Sequence, residues 1–380
     1  MVEEPTKRAR PGRSPAPAGR TARPRQAEVA RLAGVSQATV SLVLADKREG
    51  PAISEDTRRK VLEAAHSLGY VPDPAARRLA AARNDLLGVF SFTATFPTDV
   101  RHSYYPFLVG VEREAAERGY DLVLFTGSST GGAGAAGPEA LNRVRLADGC
   151  LFLGRHAPAR ELGRLVADGF PVVHLGRRDD PEGLHWVGAD YVSAAREVVG
   201  HLAALGHRRM VLIREDDEAP ASTDREHGFL QGLETAGADG GPGTVFRSAD
   251  PARDLTPERL RGWLADGVTA FVAEETDTGA AWRALLHAVA GAGIDCPRDA
   301  SLALLGSPPA DLADGPEPTG FDIPRTRLGA AAVRMLAALV AGEEAAEPLV
   351  ACAFRPGATS GPPPAATEPT APVHTAQGDQ

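Results

Sequence analysis

The sequence has few of the residues that hold metal-bound or disulfide-bonded domains together. Its 380 residues include only three cysteines, which are odd in number and widely spaced (Cys150, Cys296 and Cys352). This spacing suggests neither a disulfide framework nor a zinc site. The ten histidines are scattered without metal-ligand spacing, and we expect His201 and His207 at helix ends. We therefore predict no metal, no catalytic residues and no cofactor.

The chain also lacks a long apolar segment. No run approaches the roughly 18 apolar residues of a membrane-spanning helix. The basic N-terminus has no apolar stretch of the kind found in secretory signals. The composition, with 43% hydrophobic and 24% charged residues, is that of a globular protein. We expect a cytoplasmic protein without a membrane partner, long enough for about two or three domains.

Charge is distributed unevenly along the chain. Residues 1–83 carry 16 Lys and Arg against 9 Asp and Glu, a balance of +7. The remaining 297 residues carry 25 against 41, a balance of −16. A basic head joined to an acidic body is typical of a nucleic-acid-binding module fused to another domain.

The segment EVARLAGVSQATVSLVL, residues 28–44, predicts two short helices with a tight corner between them. Val29, Leu32 and Ala33 are spaced to give the first helix an apolar face. Gly34 supplies the positive φ that a tight turn requires, and Ser36 is suited to cap the second helix. The alternative is an ordinary pair of packed helices. The basic flanks favour a helix-turn-helix instead.

A third helix is predicted after Ser54, with Val61, Leu62, Ala65 and Leu68 on its inner side. We assign residues 25–72 to a DNA-binding headpiece, too small to be very stable alone. Residues 1–24 are rich in Pro, Arg and Ala and predict a disordered basic extension. Residues 73–84 contain AARRLAAAR, which predicts a short hinge helix that is marginal without a partner.

From residue 85 the pattern becomes one of short apolar strands that alternate with amphipathic helices. The predicted strands are LLGVFSF, YDLVLFT, DGCLFLG, FPVVHLG, HWVGAD, RMVLIRE, TAFVAEE and ASLALLG. This alternation predicts an α/β fold with parallel sheets covered on both faces. At least eight strands over some 260 residues fit two doubly wound lobes, residues 85–355. Residues 356–380 are again rich in Pro, Ala and Thr and predict a disordered tail.

These segments together resemble the lactose/galactose repressor (LacI/GalR) family over residues 25–360. The resemblance is carried by EVARLAGVSQATVS, ISEDTRRKVLEAAHSLGYVPDPAARRLA, FPVVHLGRR, HLAALGHRRMVLI, REHGFLQGL and FDIPRTRLGAAA. It implies a helix-turn-helix headpiece, a hinge helix and a two-lobed body like that of periplasmic binding proteins. It also implies discontinuous lobes, with the chain crossing between them near Ala189, Gly320 and Leu349. Members are dimeric or tetrameric regulators, so we expect a homodimer or tetramer on palindromic double-stranded DNA.

The resemblance assigns DNA contacts to Ser36, Gln37, Ala38, Thr39, Ser41, Leu42, Arg77 and Leu79. A Gln amide can bond bidentately to adenine, and an Ala methyl can meet a thymine methyl, which suits Gln37 and Ala38. Because Leu42 stands where the family often has arginine, a guanine contact is missing. Leu79 matches the hinge leucine that the family inserts into the minor groove, where an apolar wedge kinks the duplex.

The resemblance also implies an effector site between the lobes. The residues that match cleft positions are Tyr105, Phe107, Asp190, Arg225 and Glu275. Arg225 matches an arginine that grips effector hydroxyls or carboxylates, whereas Glu275 stands where the family has aspartate. Gly306-Ser307-Pro308-Pro309 replaces a turn that carries two acids. A sugar is the family's usual effector, and an acidic ligand, an unusual one or none stays open.

Two further motif matches lie in one glycine-rich run. Residues 127–131 fit a nucleophile elbow, and residues 132–137 fit a dinucleotide-binding fingerprint. Neither has a suitably placed histidine or ribose-binding acid, so we interpret the run as a surface loop. The sequence thus predicts a ligand-responsive DNA-binding regulator, most simply a repressor. The alternative is a cytoplasmic ligand-binding protein or an enzyme on the same two-lobed fold.

Overall fold

The computed structural model describes most of the chain as two compact units. The described residues are 24–44, 53–70, 83–91, 104–125, 141–155, 157–239, 243–312, 315–345 and 348–365. One unit falls within residues 1–83 and the other within residues 84–380. Each unit is described by itself below. Among the described helices, none is long and apolar enough to cross a membrane.

The first unit, which we call the headpiece, contains three helices. They are α1 (Gln26–Ala33), α2 (Gln37–Leu44) and α3 (Glu55–Ser67). Gly34 ends α1 with a φ of 67°, and this left-handed residue turns the chain sharply into α2. The Ser54 hydroxyl accepts a hydrogen bond from the Thr57 amide and caps α3. The helix-turn-helix prediction is confirmed.

Seven small or β-branched side chains fill the core of the headpiece. They are Val29, Ala30, Val40, Val43, Val61, Ala64 and Ala65. Two predicted core residues are wrong, because Leu32 is 56% exposed and Leu62 is 47% exposed. Helical geometry explains the error. Successive residues of a helix point in directions about 100° apart around its axis. The buried sides of α1 and α3 run through Val29 and Ala33 and through Val61 and Ala65, so both leucines point outward.

The second unit, which we call the body, contains two six-stranded sheets within the described residues. The first sheet has the order β11-β5-β4-β3-β1-β2 and the second the order β12-β10-β9-β8-β6-β7. The first-sheet strands are β1 (Leu86–Ser91), β2 (Asp121–Phe125), β3 (Gly149–Leu153), β4 (Val172–Leu175), β5 (His185–Ala189) and β11 (Leu349–Val350). The second-sheet strands are β6 (Met210–Glu215), β7 (Val245–Ser248), β8 (Ala270–Glu274), β9 (Ser301–Leu305), β10 (Thr319–Asp322) and β12 (Ala353–Arg355).

Every named strand pair is parallel except β10 with β12, which is antiparallel. Helices connect the strands and cover the sheets. They are α4 (Tyr105–Glu117), α5 (Ala159–Ala167), α6 (Tyr191–Ala204), α7 (Pro220–Ala236), α8 (Pro251–Asp254), α9 (Pro257–Ala265), α10 (Ala280–Ala292) and α11 (Arg325–Ala341). Short 3₁₀ turns occur at Arg143–Leu146 and Ala310–Leu312. The α/β prediction with doubly wound parallel sheets is therefore confirmed.

The chain changes sheet three times, so each lobe is built from separate segments. We call the first sheet with its helices the first lobe, and the second sheet with its helices the second lobe. The family resemblance placed the crossings near residues 189, 320 and 349. The described strands change sheet between β5 and β6, between β10 and β11, and between β11 and β12. The largest apolar cluster includes buried strand residues of both sheets, such as Leu151 and Val272.

The start of the predicted disordered tail is ordered, which corrects the prediction for residues 356–365. The Thr359 hydroxyl donates to the Leu302 carbonyl at 2.7 Å, and the Thr359 carbonyl accepts from the Leu302 amide at 2.8 Å. His207 is fully buried, and its Nε2 lies 2.9 Å from the Gly361 carbonyl. These bonds attach the segment to β9 and to His207, which precedes β6. The bonding partners of this segment lie some 60 to 150 residues away along the chain. Local composition contains no sign of such distant partners, and for that reason it predicted disorder.

Candidate functional site

The side of the headpiece that the sequence predicts to contact DNA begins at the N-terminus of α2. The Ser36 hydroxyl accepts a hydrogen bond from the Thr39 amide at 3.1 Å and lies 2.9 Å from the Thr39 hydroxyl. Val40 and Val43 are buried on the inner side of the helix, which fixes its rotation. Rotation in turn decides which side chains face outward.

The outward side of α2 carries three exposed residues, Gln37, Ala38 and Ser41, while Thr39 and Leu42 are half-buried. An exposed Gln–Ala pair at the start of a helix offers an amide for adenine and a methyl for thymine. The helix itself contains no charged residue, so it can contact phosphates only through hydroxyl, side-chain amide and backbone N–H groups. Arg77 and Leu79, predicted to contact DNA from the hinge, lie outside the described residues.

The body contains a cleft between its two lobes. Its cavity opens to solvent and is lined by residues of both lobes. Side chains that follow the carboxyl ends of the parallel strands line it, as expected for open α/β sheets. The charged lining residues are Arg155, Arg177, Arg178, Asp224, Arg225, Glu275, Asp277 and Arg325.

Two of the ion pairs that join the walls of this cleft involve arginines that follow strands of the first sheet. Arg155, which follows β3, donates from Nε to Asp217 of the second lobe, and its Nη2 donates to the Ser222 hydroxyl at 2.6 Å. Arg177, which follows β4, donates from Nε to Asp224 Oδ2 at 2.8 Å. These bonds hold the lobes together, and anything that enters the cleft has to compete with them.

The deepest part of the cleft is built around Arg225. Its guanidinium is buried, lies 3.8 Å from the centre of the Tyr191 ring, and donates to the Leu305 and Ala221 carbonyls at 2.8 and 2.9 Å. Its Nη2 is 3.7 Å from Glu275 Oε2. Cation–π stacking and two carbonyl acceptors fix the arginine in one orientation, so it presents a rigid donor to the cleft.

The Glu275 carboxylate pairs with two arginines, Arg225 and Arg325. Glu275 accepts from Arg325 through Oε1, while its Oε2 is buried and, within the described residues, has no hydrogen-bond partner. A buried acceptor of this kind favours a ligand that brings a hydroxyl or amine donor. Glu274, the preceding residue, also leaves Oε2 without a partner, and burial raises the pKa of its carboxyl above the usual value.

The opposite wall carries a buried histidine beside an arginine. His174 lies in β4, and burial lowers the pKa of its imidazole to about 4, so the ring is neutral near pH 7. His174 Nδ1 lies 2.9 Å from the Gly176 carbonyl. Because a carbonyl only accepts, the proton is on Nδ1, and the free lone pair of Nε2 faces Arg178 Nε at 3.4 Å.

The predicted effector residues divide into two groups. Phe107, Arg225 and Glu275 line the cavity, whereas Tyr105 and Asp190 do not. Asp190 instead caps α6, where its Oδ1 accepts from the Ser193 amide at 3.0 Å. The neighbours of these two residues, Tyr104 and Tyr191, occupy the cleft wall.

Sequence reasoning missed most of the charged lining. Arg155, Arg177 and Arg178 were not singled out, although each stands just after a buried strand, in FLGRH and LGRRDD. That position was the available signal, since ligands bind outside the carboxyl ends of parallel strands. The two discounted glycine motifs at residues 127–137 lie outside the described residues.

Three family profiles match the chain, and together they cover both units. Residues 27–73 match the profile described as bacterial regulatory proteins, lacI family. Residues 94–254 match periplasmic binding proteins and sugar binding domain of LacI family, and residues 199–359 match a periplasmic binding protein-like domain. The chain belongs to the LacI family of transcriptional regulators.

Curated relatives of this LacI-family chain are themselves regulators. The HTH-type transcriptional regulator CelR of Thermobifida fusca is 29% identical over 338 residues, covering 85% of this chain and 94% of CelR. Catabolite control protein A of Streptococcus mutans serotype c is 29% identical over 328 residues, covering 84% and 92%.

Solved structures show the same architecture. The CelR–cellobiose complex is 25% identical, has a TM-score of 0.56, and covers 89% of this chain and 100% of that one. The lac repressor dimer bound to operator and the anti-inducer ONPF is 20% identical, has a TM-score of 0.64, and covers 88% and 98%. At that identity, the lac repressor supports the fold alone.

Proposed function

We propose that this LacI-family chain is a repressor that binds a palindromic operator as a homodimer and is released by a sugar-like effector held in the cleft of the body. The proposal joins three parts: base reading by α2, effector binding between the lobes, and a hinge that transmits one to the other.

Base reading rests on the exposed face of α2. Gln37 and Ala38 project from the first turn, the part of a recognition helix that enters the major groove. Ser36 and Thr39 place hydroxyl groups beside them for phosphate contacts. The basic balance of residues 1–83 supplies the electrostatic attraction that DNA binding requires.

The observation that carries effector control is the pair of ion pairs across the cleft, Arg155–Asp217 and Arg177–Asp224. They give the lobes a closed arrangement that a ligand between them has to alter or replace. A ligand shifts an equilibrium between two arrangements only by its difference in affinity for them. Side chains that bond to each other across the cleft in one arrangement and to the ligand in the other provide such a difference in affinity.

A sugar-like ligand suits the innermost groups of the cleft. Arg225 presents a fixed donor, and Glu275 Oε2 presents an unsatisfied acceptor at 3.7 Å from it. A ligand hydroxyl both donates and accepts, so it can bond to both groups at once. Tyr191 and Phe107 add the aromatic surface against which a sugar ring can pack.

Because the relatives are named as regulators, we infer that the cleft binds its ligand without transforming it and that the protein acts in the cytoplasm, where the operator is. We also infer, from the predicted hinge at residues 73–84, that two copies pack their hinge helices together on DNA. Leu79 of each copy would then enter the minor groove at the operator centre, most easily at a pyrimidine–purine step.

The test starts by selecting binding sites from random duplex DNA with the full chain. We expect a palindromic consensus and a stoichiometry of two chains per site. Fluorescence anisotropy on that site, with a scrambled duplex as control, then screens sugars for release. The proposal fails if the selected DNA shows no consensus, or if the chain binds scrambled and selected duplexes with equal affinity at the same salt concentration.

A further inference from the structure

We propose that the effector is anionic, a carboxylate- or phosphate-bearing small molecule, and that Arg178 binds its charged group. This inference rests on the proposed function, because it names the chemical class of ligand that the same cleft takes.

The two walls of the cleft differ in charge. The lining residues from the first lobe include four arginines, Arg155, Arg177, Arg178 and Arg325, and among the described residues no acidic side chain. The second-lobe lining contributes the carboxylates, including Asp224 and Glu275. When the lobes part, Arg155 and Arg177 lose Asp217 and Asp224, and the first-lobe wall presents a surface that is mainly basic although Arg177 keeps its pair with Asp179. A negative ligand is attracted to such a surface.

All but one of the cleft arginines have a carboxylate partner. Arg155 pairs with Asp217 and Arg177 with Asp224. Arg225 and Arg325 both pair with Glu275. Within the part of the chain that the structure describes, Arg178 lies within 4.0 Å of no carboxylate. It is a half-buried guanidinium without a close ion pair even with the lobes together, and Asp179 and Asp180 act on it only from a greater distance.

The bonds that Arg178 does make hold it in place without neutralising it. Its Nη2 donates to the Gly154 and Arg155 carbonyls at 2.8 and 2.6 Å, and its Nε points to the neutral His174 ring. Burial lowers the pKa of this guanidinium, yet arginine stays charged in proteins. A fixed, partly desolvated cation with free N–H capacity is a good receptor for a carboxylate or a phosphate.

An anionic group on the ligand would also let the cleft distinguish charged sugars from neutral ones. A neutral sugar satisfies Arg225 and Glu275 but leaves the charge of Arg178 unmatched. A sugar acid or sugar phosphate satisfies all three. A hydrogen bond to a charged group is worth enough to favour the anionic ligand by about tenfold or more over a neutral one of the same size.

The experiment compares matched ligands on the full chain without DNA, so that cleft occupancy is measured apart from operator binding. The probes are the neutral sugar, the aldonic acid and the 6-phosphate of glucose and of galactose, together with inorganic phosphate. Tryptophan-fluorescence thermal shift at up to about 10 mM ligand identifies binders, and calorimetry gives their Kd. The aldonic acids and the phosphates separate the two kinds of anion.

Three variants test the assignment of Arg178. Arg178→Gln removes the charge and should reduce the affinity for the anionic probe about tenfold or more, to the level of the neutral sugar. Arg178→Lys keeps the positive charge but loses the planar, two-pronged guanidinium, and it should retain part of the preference for anionic ligands. Arg298→Gln, at an exposed arginine whose partners are Asp295 and Asp299, is the matched control and should change nothing.

The proposal is overturned if the anionic probes bind no more tightly than their neutral partners, if no anion stabilises the protein, or if the preference survives in Arg178→Gln. The wild-type comparison stands even if a variant misfolds. Neutral sugars that bind and release the operator would overturn the anionic ligand while leaving the proposed function intact. Loss of specific DNA binding would instead refute the proposed function.

Discussion

Gly306 controls the position of the carboxylate at the bottom of the cleft, and replacing it with alanine should show this. The residue follows β9 and has a φ of 144°, a conformation that L side chains rarely adopt. A Cβ at this position would lie 2.6 Å from Glu275 Cβ and closer still to Glu275 Oε2. Gly306→Ala therefore meets both backbone strain and a side-chain overlap.

The expected loss has two parts. The strained backbone conformation costs about 1–3 kcal/mol, and overpacking a buried site adds about 1–3 kcal/mol. Glu275 cannot withdraw freely, because Arg325 and Arg225 hold it. We expect Gly306→Ala to lower the free energy of unfolding of the body by about 2–6 kcal/mol.

Urea unfolding followed by tryptophan fluorescence measures this change. The three tryptophans, Trp186, Trp263 and Trp282, all lie in the body, so the signal reports that unit. Gly200→Ala is the control, because Gly200 lies exposed in α6 and an added Cβ meets nothing within 4 Å. It should be neutral or stabilise the body by up to about 1 kcal/mol.

A double-mutant cycle isolates the overlap from the backbone strain. In a Glu275→Gly background, which removes the carboxylate and the Cβ of residue 275 together, the overlap disappears, so Gly306→Ala should cost at least about 1 kcal/mol less than in the wild type. A cost below about 1 kcal/mol for Gly306→Ala alone, or no coupling between the two sites, would refute this account of the cleft.

Four further outcomes are expected. Gln37→Ala should cost roughly 1–3 kcal/mol on the selected operator and almost nothing on random DNA; an equal loss on both in anisotropy assays would mean that Gln37 only positions the headpiece. Arg225→Ala should abolish release by effector while operator affinity without effector stays near wild type; retained release would exclude Arg225 from the site. Because folding lowers the pKa of His174 from 6.5 to about 4, the unfolded chain binds the proton first, and stability should fall by roughly 3 kcal/mol between about pH 6.5 and pH 4; urea unfolding of His174→Gln should show a flatter pH dependence, and an unchanged slope would contradict the assignment. Hinge amides at residues 74–82 should exchange hydrogen freely in the absence of DNA and be protected on the operator; protection without DNA would mean a preformed helix.

The sequence predicted the elements whose signals are local. Gly34 and Ser54 mark helix boundaries through their own backbone and side-chain chemistry, and the buried strands are short apolar runs. Edge strands were harder to predict: β7, Val245–Ser248, is half-exposed, and β12, Ala353–Arg355, has no apolar run. A strand with one neighbour needs fewer apolar residues, so its pattern is weaker.

The cleft was predictable only where the resemblance supplied a matching position. Arg225, Glu275 and Phe107 came from that source. The proposed role of Arg178 in ligand binding depends on its surroundings in the fold, namely the neutral His174 and two backbone carbonyls. An arginine in a charged loop is usually solvated, and nothing in LGRRDD separates the exposed case from this half-buried one.

The interleaving of the two sheets has a consequence for the order in which the protein matures on the ribosome. The first lobe needs α11 and β11, which are synthesised after nearly all of the second lobe. The second lobe needs β12 and the bonds of Thr359 and Gly361, which come last. The first sheet cannot be completed until translation passes Val350, and the second lobe needs the chain to about residue 361. A nascent chain therefore exposes two unfinished sheet edges for most of its synthesis.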